Sequence, residues 1–443
     1  MDFSLSNEQR SWQMAARKVA DEEIKPITLA LDEAPDAHGT FNWDIIDKGS
    51  RLGFRTLAVP KEYGGEGTDY VTQALVMAEL ARGDSAISKT FSQNWKWSHL
   101  IAQACNTEQK ERFLRPFVAD HRFLLGKGIT EPTAGSDNRM PPKDDPKAGL
   151  KLRAERDGDE WILNGEKCFI ANAPVGKLFF VDARSNPNAP LREGTTMFLI
   201  PRDTPGFRIG KVFNKSGWRF YRNGEMIFEN ARVPHANVVG HVNNSDMKTA
   251  QAGDRTGGDI FGDLELAANA LGVCIDACEQ AMKHAKTHKQ GGAVLFEQQM
   301  VQLKINKMNM LTEALRSLVL RVAWEHDHKI HSANAGLAMN YSTDVIQEVT
   351  ELNLEIHGGA GSPEGRHAEK LVRDGFIWSH LAATPCSGSR SRRGSPRWRC
   401  TRFQRLWRHP LNVMPSLVPG IHVFLYGRIK AIVVAGTSPA MTS

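Results

Sequence analysis

The spacing of apolar residues changes twice along this 443-residue chain, and that change constrains the fold more than any single motif. Over residues 1–123 the apolar positions recur at helical intervals. Trp12, Ala15, Ala16, Val19 and Ala20 mark a first helix, followed by Trp43 to Leu52, Val71 to Ala81 and Trp97 to Ala104. Ser6 and Gln9 have the spacing of a capping box at the first of these. Pro26 is expected to end that helix, and Pro116 to close a short one over Gln109 to Leu114. Residues 124–240 read differently. Short runs at Lys151 to Glu155, Trp161 to Leu163, Cys168 to Ala171, Leu178 to Ala183, Thr196 to Pro201, Phe207 to Val212 and Met226 to Phe228 are strand-like. Asn164-Gly165 is expected to be a turn, since both residues tolerate φ > 0. Over residues 241–383 helical spacing returns in longer stretches, with Leu264, Ala267, Ala268, Leu271 and Ile275 on one face. Met300, Leu303, Met308, Leu311, Leu315 and Leu318 mark a second long helix, and Ala333 to Ile356 a third. Helices, then a small antiparallel barrel or sandwich, then a helical bundle make an α+β chain of three domains.

Composition sharpens this in three places. The chain is 41% hydrophobic and 24% charged, as a globular chain should be. Its six cysteines include no CxxC pair, which predicts free thiols in a reducing compartment, here the cytoplasm. The net charge of +6 comes from one end. Residues 375–443 hold nine arginines and Lys430 with no Asp or Glu, so the remainder carries 46 basic against 50 acidic residues. With a mildly acidic body, the whole-chain charge gives no ground for expecting a nucleic-acid partner, and none is expected. Residues 384–443, a basic low-complexity tail without periodicity, read as a non-native frame or a disordered segment. The first residues lack a leader pattern, and no apolar run spans a bilayer.

At the first change of period lies Gly128-Ile129-Thr130-Glu131-Pro132-Thr133-Ala134-Gly135-Ser136-Asp137. Gly135 lets a ligand approach the main chain, Pro132 stiffens the loop, and the Thr130 and Ser136 hydroxyls can donate or accept. By composition alone this is also an ordinary turn. His284 and His288 share a helix face, but no carboxylate or cysteine completes a metal set at a recognised spacing. Cys274 with Cys278, and Trp95 with Trp97, are read first as core. His357-Gly358-Gly359 follows a helix rather than a strand, so it is no dinucleotide fingerprint.

Several runs together resemble the acyl-CoA dehydrogenase family. Leu5-Ser6-Asn7-Glu8-Gln9 is similar to its opening helix, and Pro60-Lys61-Glu62-Tyr63-Gly64-Gly65-Glu66-Gly67 to its glycine turn. Ile129 to Asp137 is similar to its flavin signature, and Asn164-Gly165-Glu166-Lys167-Cys168-Phe169-Ile170-Ala171-Asn172 to its second flavin motif. Phe228 to Pro234, Gln299, His357 to Gly361 and Lys370-Leu371-Val372-Arg373-Asp374 follow in the family's order. The resemblance covers about residues 1–383. It implies an N-terminal α-helical domain, a middle antiparallel β-barrel and a C-terminal four-helix bundle.

The resemblance also implies FAD and α,β-dehydrogenation of an acyl-CoA thioester, in a homodimer or homotetramer that passes electrons to an electron-transfer flavoprotein. By position, Ile129 and Thr130 would face the flavin ring and Ser136 the pyrophosphate. Phe169 stands where Trp is usual, and Ala171 where a hydroxyl residue is usual. His288 and Gln290 replace Arg and Thr, and Glu355 replaces Gln. Gln299 and Gly359 would touch FAD from a neighbouring subunit. Many members carry a catalytic Glu eight residues after the Asp of the Arg-Asp pair; the count here falls on Ala382. The isovaleryl-type branch takes its base from the start of the first long bundle helix, a position matched by Gly262. Asp263, with Asp259 and Glu265 as alternatives, is the expected proton acceptor. Two other readings share the fold: a flavin monooxygenase or oxidase, and a truncated member without activity.

Overall fold

The computed structural model describes residues 4–135, 145–147, 149–191, 193–243, 259–330, 332, 334–363 and 365–381. Ser136, Ala382 and the tail at 384–443 lie outside the described residues.

The first helices form as the sequence predicts, and for the predicted reason. Helix α1 (Asn7–Val19) starts at Ser6, whose Oγ accepts from Gln9 N at 3.1 Å while Gln9 Oε1 accepts from Ser6 N at 2.9 Å. Pro26 does not end the helical path. One π turn, Ala20–Ile24, carries the chain into α2 (Lys25–Asp32), with Pro26 in its first turn where no N–H is needed. The same device follows Thr107–Gln109: a π turn, Lys110–Leu114, leads into Arg115–Ala119 with Pro116 at the start. Helix α3 (Trp43–Arg51) precedes the two long helices α4 (Tyr70–Gly83) and α5 (Ser85–Ala104), and the short helices around the second π turn are α6 (Thr107–Gln109) and α7 (Arg115–Ala119). Helix α5 begins twelve residues before its apolar signal at Trp97, because Asp84 caps it through Ala86 N and Ile87 N.

The middle of the chain is one seven-stranded sheet: β1 (Leu125–Gly128), β2 (Arg153–Asp157), β3 (Glu160–Ala171), β4 (Leu178–Arg184), β5 (Thr195–Pro201), β6 (Phe207–Val212) and β7 (Asn223–Pro234). The order is β1-β4-β2-β3-β7-β6, with β5 on β4. Most pairs are antiparallel, and β1 runs parallel to β4. Asn164-Gly165 is not the expected turn. Both residues lie inside β3, where the ladder to β7 slips between Leu163 and Gly165. Gly165 has φ 132°, and Asn164 accepts from Asn230 N at 2.8 Å across the slip. The conformational freedom that makes Asn-Gly a good turn also makes it a good bulge.

Among the described residues four long helices follow: α8 (Asp259–Thr287), α9 (Gln299–Asp327), α10 (Asn334–His357) and α11 (His367–Leu381). Among the described residues no helix is long and apolar enough to cross a membrane. One apolar core runs from α1 through α4 and α5 into α8, α9 and α10, and takes in Trp218, Phe220 and Tyr221 from the β6–β7 connection. That connection therefore belongs to the helical core, although its ends belong to the sheet. Buried charges fix the last helix against the first half. Lys370 Nζ reaches Asp84 Oδ2 at 3.0 Å and Asp374 Oδ2 at 2.7 Å, while Asp374 Oδ1 accepts from Trp218 N at 2.8 Å. Burial pushes the Asp84 carboxyl up, but Lys370 and Thr28 outweigh it and hold it below the usual range.

Candidate functional site

The loop after β1 is tied down from beneath by a buried ion pair. Lys167 Nζ and Glu131 Oε1 stand 2.7 Å apart, both side chains almost fully enclosed. Glu131 also accepts from Lys151 N and Leu152 N, and Lys167 donates to Ile129 O. Burial pulls the Lys167 ammonium below its usual range despite Glu131. Thr130 O accepts from Cys168 N at 2.9 Å. The loop is thus pinned to β3 at three successive residues. Sequence reading gave the weight to Thr130 and Ser136 and missed Glu131 and Lys167. The available signal was a charge in the middle of each motif, one acidic and one basic.

Above this base, β3 slips again between Lys167 and Ile170. Phe169 takes φ 57°, and its ring is 59% exposed, stacked on Phe213 at 4.4 Å and 29°. A large apolar ring held outward in the left-handed region is strained and poorly buried at once. Asn223 Nδ2 donates to Phe169 O at 2.8 Å and so braces the bulge. Asn223 Oδ1 accepts in turn from Lys215 Nζ at 2.6 Å, and Lys215 also reaches Tyr221 O at 2.5 Å. The ammonium end of Lys215 is enclosed, and burial lowers its pKa to about 7.

The flavin implied by the resemblance fits this surface. Phe169 offers a flat aromatic face, with half-buried Ile129, Thr130 and Ala171 around it. A Cβ added at Gly135 would meet nothing within 4 Å, which leaves open space beside the loop. The structure therefore brings Ile129, Thr130, Phe169 and Ala171 together. His288, Gln299, Glu355 and Gly359 form a separate surface where α8, α9 and α10 end or begin. There His284 stacks between His288 (4.8 Å) and His357 (4.2 Å), and Glu355 pairs with Lys304 at 2.9 Å. Among the described residues no cluster of His, Cys, Asp and Glu is arranged to hold a metal.

The expected acids separate along α8. Asp259 is its first residue, with a side chain outside the described set. Asp263 is half-buried. Glu265 lies about 200° around the helix from Asp263 and faces α5, where it is 4% exposed. Its Oε1 meets Lys89 Nζ at 2.5 Å and also accepts from the Ser92 hydroxyl. Lys89 lies 5.9 Å from the Tyr221 ring, and the Tyr221 hydroxyl donates to Gln93 at 2.9 Å. At Gly262 a Cβ would come within 3.0 Å of Lys96 Nζ, so an α5 ammonium stands beside that position. Trp95 is core, as expected, with Nε1 donating to Phe54 O.

Three sequence models match in chain order. They are those of the acyl-CoA dehydrogenase N-terminal domain at residues 6–121, middle domain at 126–231 and C-terminal domain at 262–377. The probable acyl-CoA dehydrogenase YngJ of Bacillus subtilis is 29% identical over 377 residues, 84% of this chain and 94% of the relative. Among solved structures, butyryl-CoA dehydrogenase from Megasphaera elsdenii is 27% identical, with a TM-score of 0.79 over 88% of this chain and 98% of its own. A chain of the solved electron transferring flavoprotein of Acidaminococcus fermentans is 28% identical, also with a TM-score of 0.79, over 88% and 97%. The chain belongs to the acyl-CoA dehydrogenase family, FAD-binding oxidoreductases that act on CH–CH groups.

Proposed function

We propose that this chain catalyses FAD-dependent α,β-dehydrogenation of an acyl-CoA thioester. The observation that carries the reading is Phe169, an exposed ring held at φ 57° above a loop anchored by the buried Glu131–Lys167 pair. When bound there, FAD supplies a hydride acceptor for the substrate β-carbon. The chain's own part is to present the ring face, hold the loop and take the α-proton. We assign proton removal to Asp263, a half-buried carboxylate in the first two turns of α8. Ser136 is assigned to the pyrophosphate. His288, Gln299, Glu355 and Gly359 are assigned to a cofactor held by a second copy of the chain, which makes the working unit a homodimer or homotetramer. An electron-transfer flavoprotein is the proposed acceptor. The domains are proposed to divide near residues 123, 240 and 383, with 384–443 outside the catalytic unit.

Anaerobic addition of acyl-CoA thioesters to the flavin-loaded protein tests this. Bleaching of the flavin band by at least one thioester is the expected result. A panel without bleaching, combined with oxygen consumption by the reduced protein, would instead mark an oxidase or monooxygenase. Protein that neither carries nor takes up flavin would mark an inactive member.

A further inference from the structure

Three imidazoles from two helices stand in one column at the end of the bundle. His284 belongs to α8, His288 follows its last residue, and His357 ends α10. The His284 ring lies between the other two, 4.8 Å from His288 at 15° and 4.2 Å from His357 at 24°. The backbone beside them is open. His288 leads into a tight hairpin, Lys289–Gln290 against Ala293–Val294, whose turn is Gly291-Gly292, and His357 leads into Gly358-Gly359. A Cβ added at any of these four glycines would meet nothing within 4 Å. His288 is exposed, and the other two rings are half-buried.

Neighbouring imidazolium rings at these distances repel, so the column takes up protons one at a time. Asn353 O can only accept from His357 Nδ1, 2.9 Å away, so that nitrogen carries hydrogen and Nε2 is left to take the next proton. His284 Nε2 is buried with no hydrogen-bond partner among the described residues. Burial, then the charges of His357 on α10 and of His288, hold the His284 imidazole below its usual range. The other charges at this end bring no relief. Glu355 of α10 is paired with Lys304 of α9 at 2.9 Å, Lys286 stands over the Phe296 ring at 5.7 Å, and Lys283 and Lys289 are exposed cations. The column is short of negative charge.

We propose that His284, His288 and His357 form a proton-linked anion site, which takes up one proton as it receives the phosphate-bearing cofactor of a second copy of the chain. The inference rests on the assignment above of this surface to a second copy's FAD, and adds that its occupancy is governed by pH. An anion beside the exposed His288 offsets the charge of one imidazolium, so anion and proton each favour the binding of the other. Affinity therefore rises as pH falls from about 8 to about 6, by up to about tenfold per pH unit for one proton. A fixed positive charge at position 288 would remove that dependence.

The test follows, by fluorescence, the FAD released when flavin-loaded full-length protein is diluted at a series of pH values between about 8 and about 6. For wild type the dissociation constant should fall with pH by up to about tenfold per unit. His288→Arg, a change at an exposed position, should bind FAD more tightly at the upper end of the range and show a flatter slope. Burial brings the Lys215 pKa to about 7, within the same window and close to Phe169. Lys215 is the same in both proteins, so the difference between their slopes reports the column alone. Equal slopes overturn the inference while leaving the flavin reading in place. Loss of FAD from both proteins at every pH overturns the flavin reading as well, a distinct result.

Discussion

Two surfaces meet at Tyr221, and they treat burial in opposite ways. On the sheet side, Phe169 is a large apolar ring left 59% exposed in a strained backbone conformation. On the helical side, Lys89 and Glu265 are charges taken out of water and paired at 2.5 Å. An exposed strained ring gains nothing for the isolated fold, so its energetic return comes from a bound partner. A buried ion pair is already balanced within the chain, and its return is the specific shape and polarity of the seam. Where a sequence breaks the rule of apolar inside and polar outside, the sign of the violation tells which role to look for.

The comparison breaks most visibly at the buried pair. Lys89→Met strands the Glu265 carboxylate and should cost about 3–5 kcal/mol, whereas Lys89→Met with Glu265→Met should lie near or above wild type. Chemical denaturation of the three proteins gives the ordering, and a single variant as stable as the double would contradict the pairing. Phe169 should behave in the reverse manner. Phe169→Ala is expected to weaken flavin binding about tenfold, ~1.4 kcal/mol, through loss of the stacking face. Phe169→Gly should lose the same affinity yet melt no lower than Phe169→Ala, since glycine is at ease at positive φ. Flavin titration beside a thermal melt separates these effects, and unchanged affinity in both variants would remove Phe169 from the site.

The pH-dependent effect lies at the link between the two surfaces. Burial lowers the Lys215 pKa from 10.5 to about 7 in the folded protein. A depressed pKa contributes stability that is present above the unfolded value and is lost as pH falls through the folded one. Relative to Lys215→Met, wild type should therefore lose stability from pH 10.5 down to about 7, by up to about 1.4 kcal/mol per pH unit. Below about 7 the difference should level off. Urea midpoints across that range measure the slope, and a flat difference would mean that the ammonium end is open to water.

The lower cost of reading helices than strands from this sequence has a physical cause. Helix α1 is legible because its capping box and its apolar face are local. The Asn164-Gly165 bulge was not, because a turn and a bulge ask for the same local freedom and differ only in whether β7 lies alongside. Pro26 and Pro116 were misjudged for a similar reason, since a π turn before each proline removes the clash and no residue type announces it. Ile129, Thr130, Phe169 and Ala171 were legible as a set because two contiguous motifs carry them. Lys215, Asn223 and Tyr221 were not, because a long connection reaches the site only by folding into the helical core.

By itself the sequence determined the three-part order of helices, sheet and bundle, and the two motifs that build the aromatic surface. Local periodicity and local turn chemistry are enough for that, because each is settled within a few residues of chain. Only the tertiary structure decided which carboxylate faces inward. Asp259, Asp263 and Glu265 are equivalent as acids near a helix start. What separates them is the packing of α8 on α5, which presents Lys89 and Ser92 to Glu265 across 173 to 176 residues of chain.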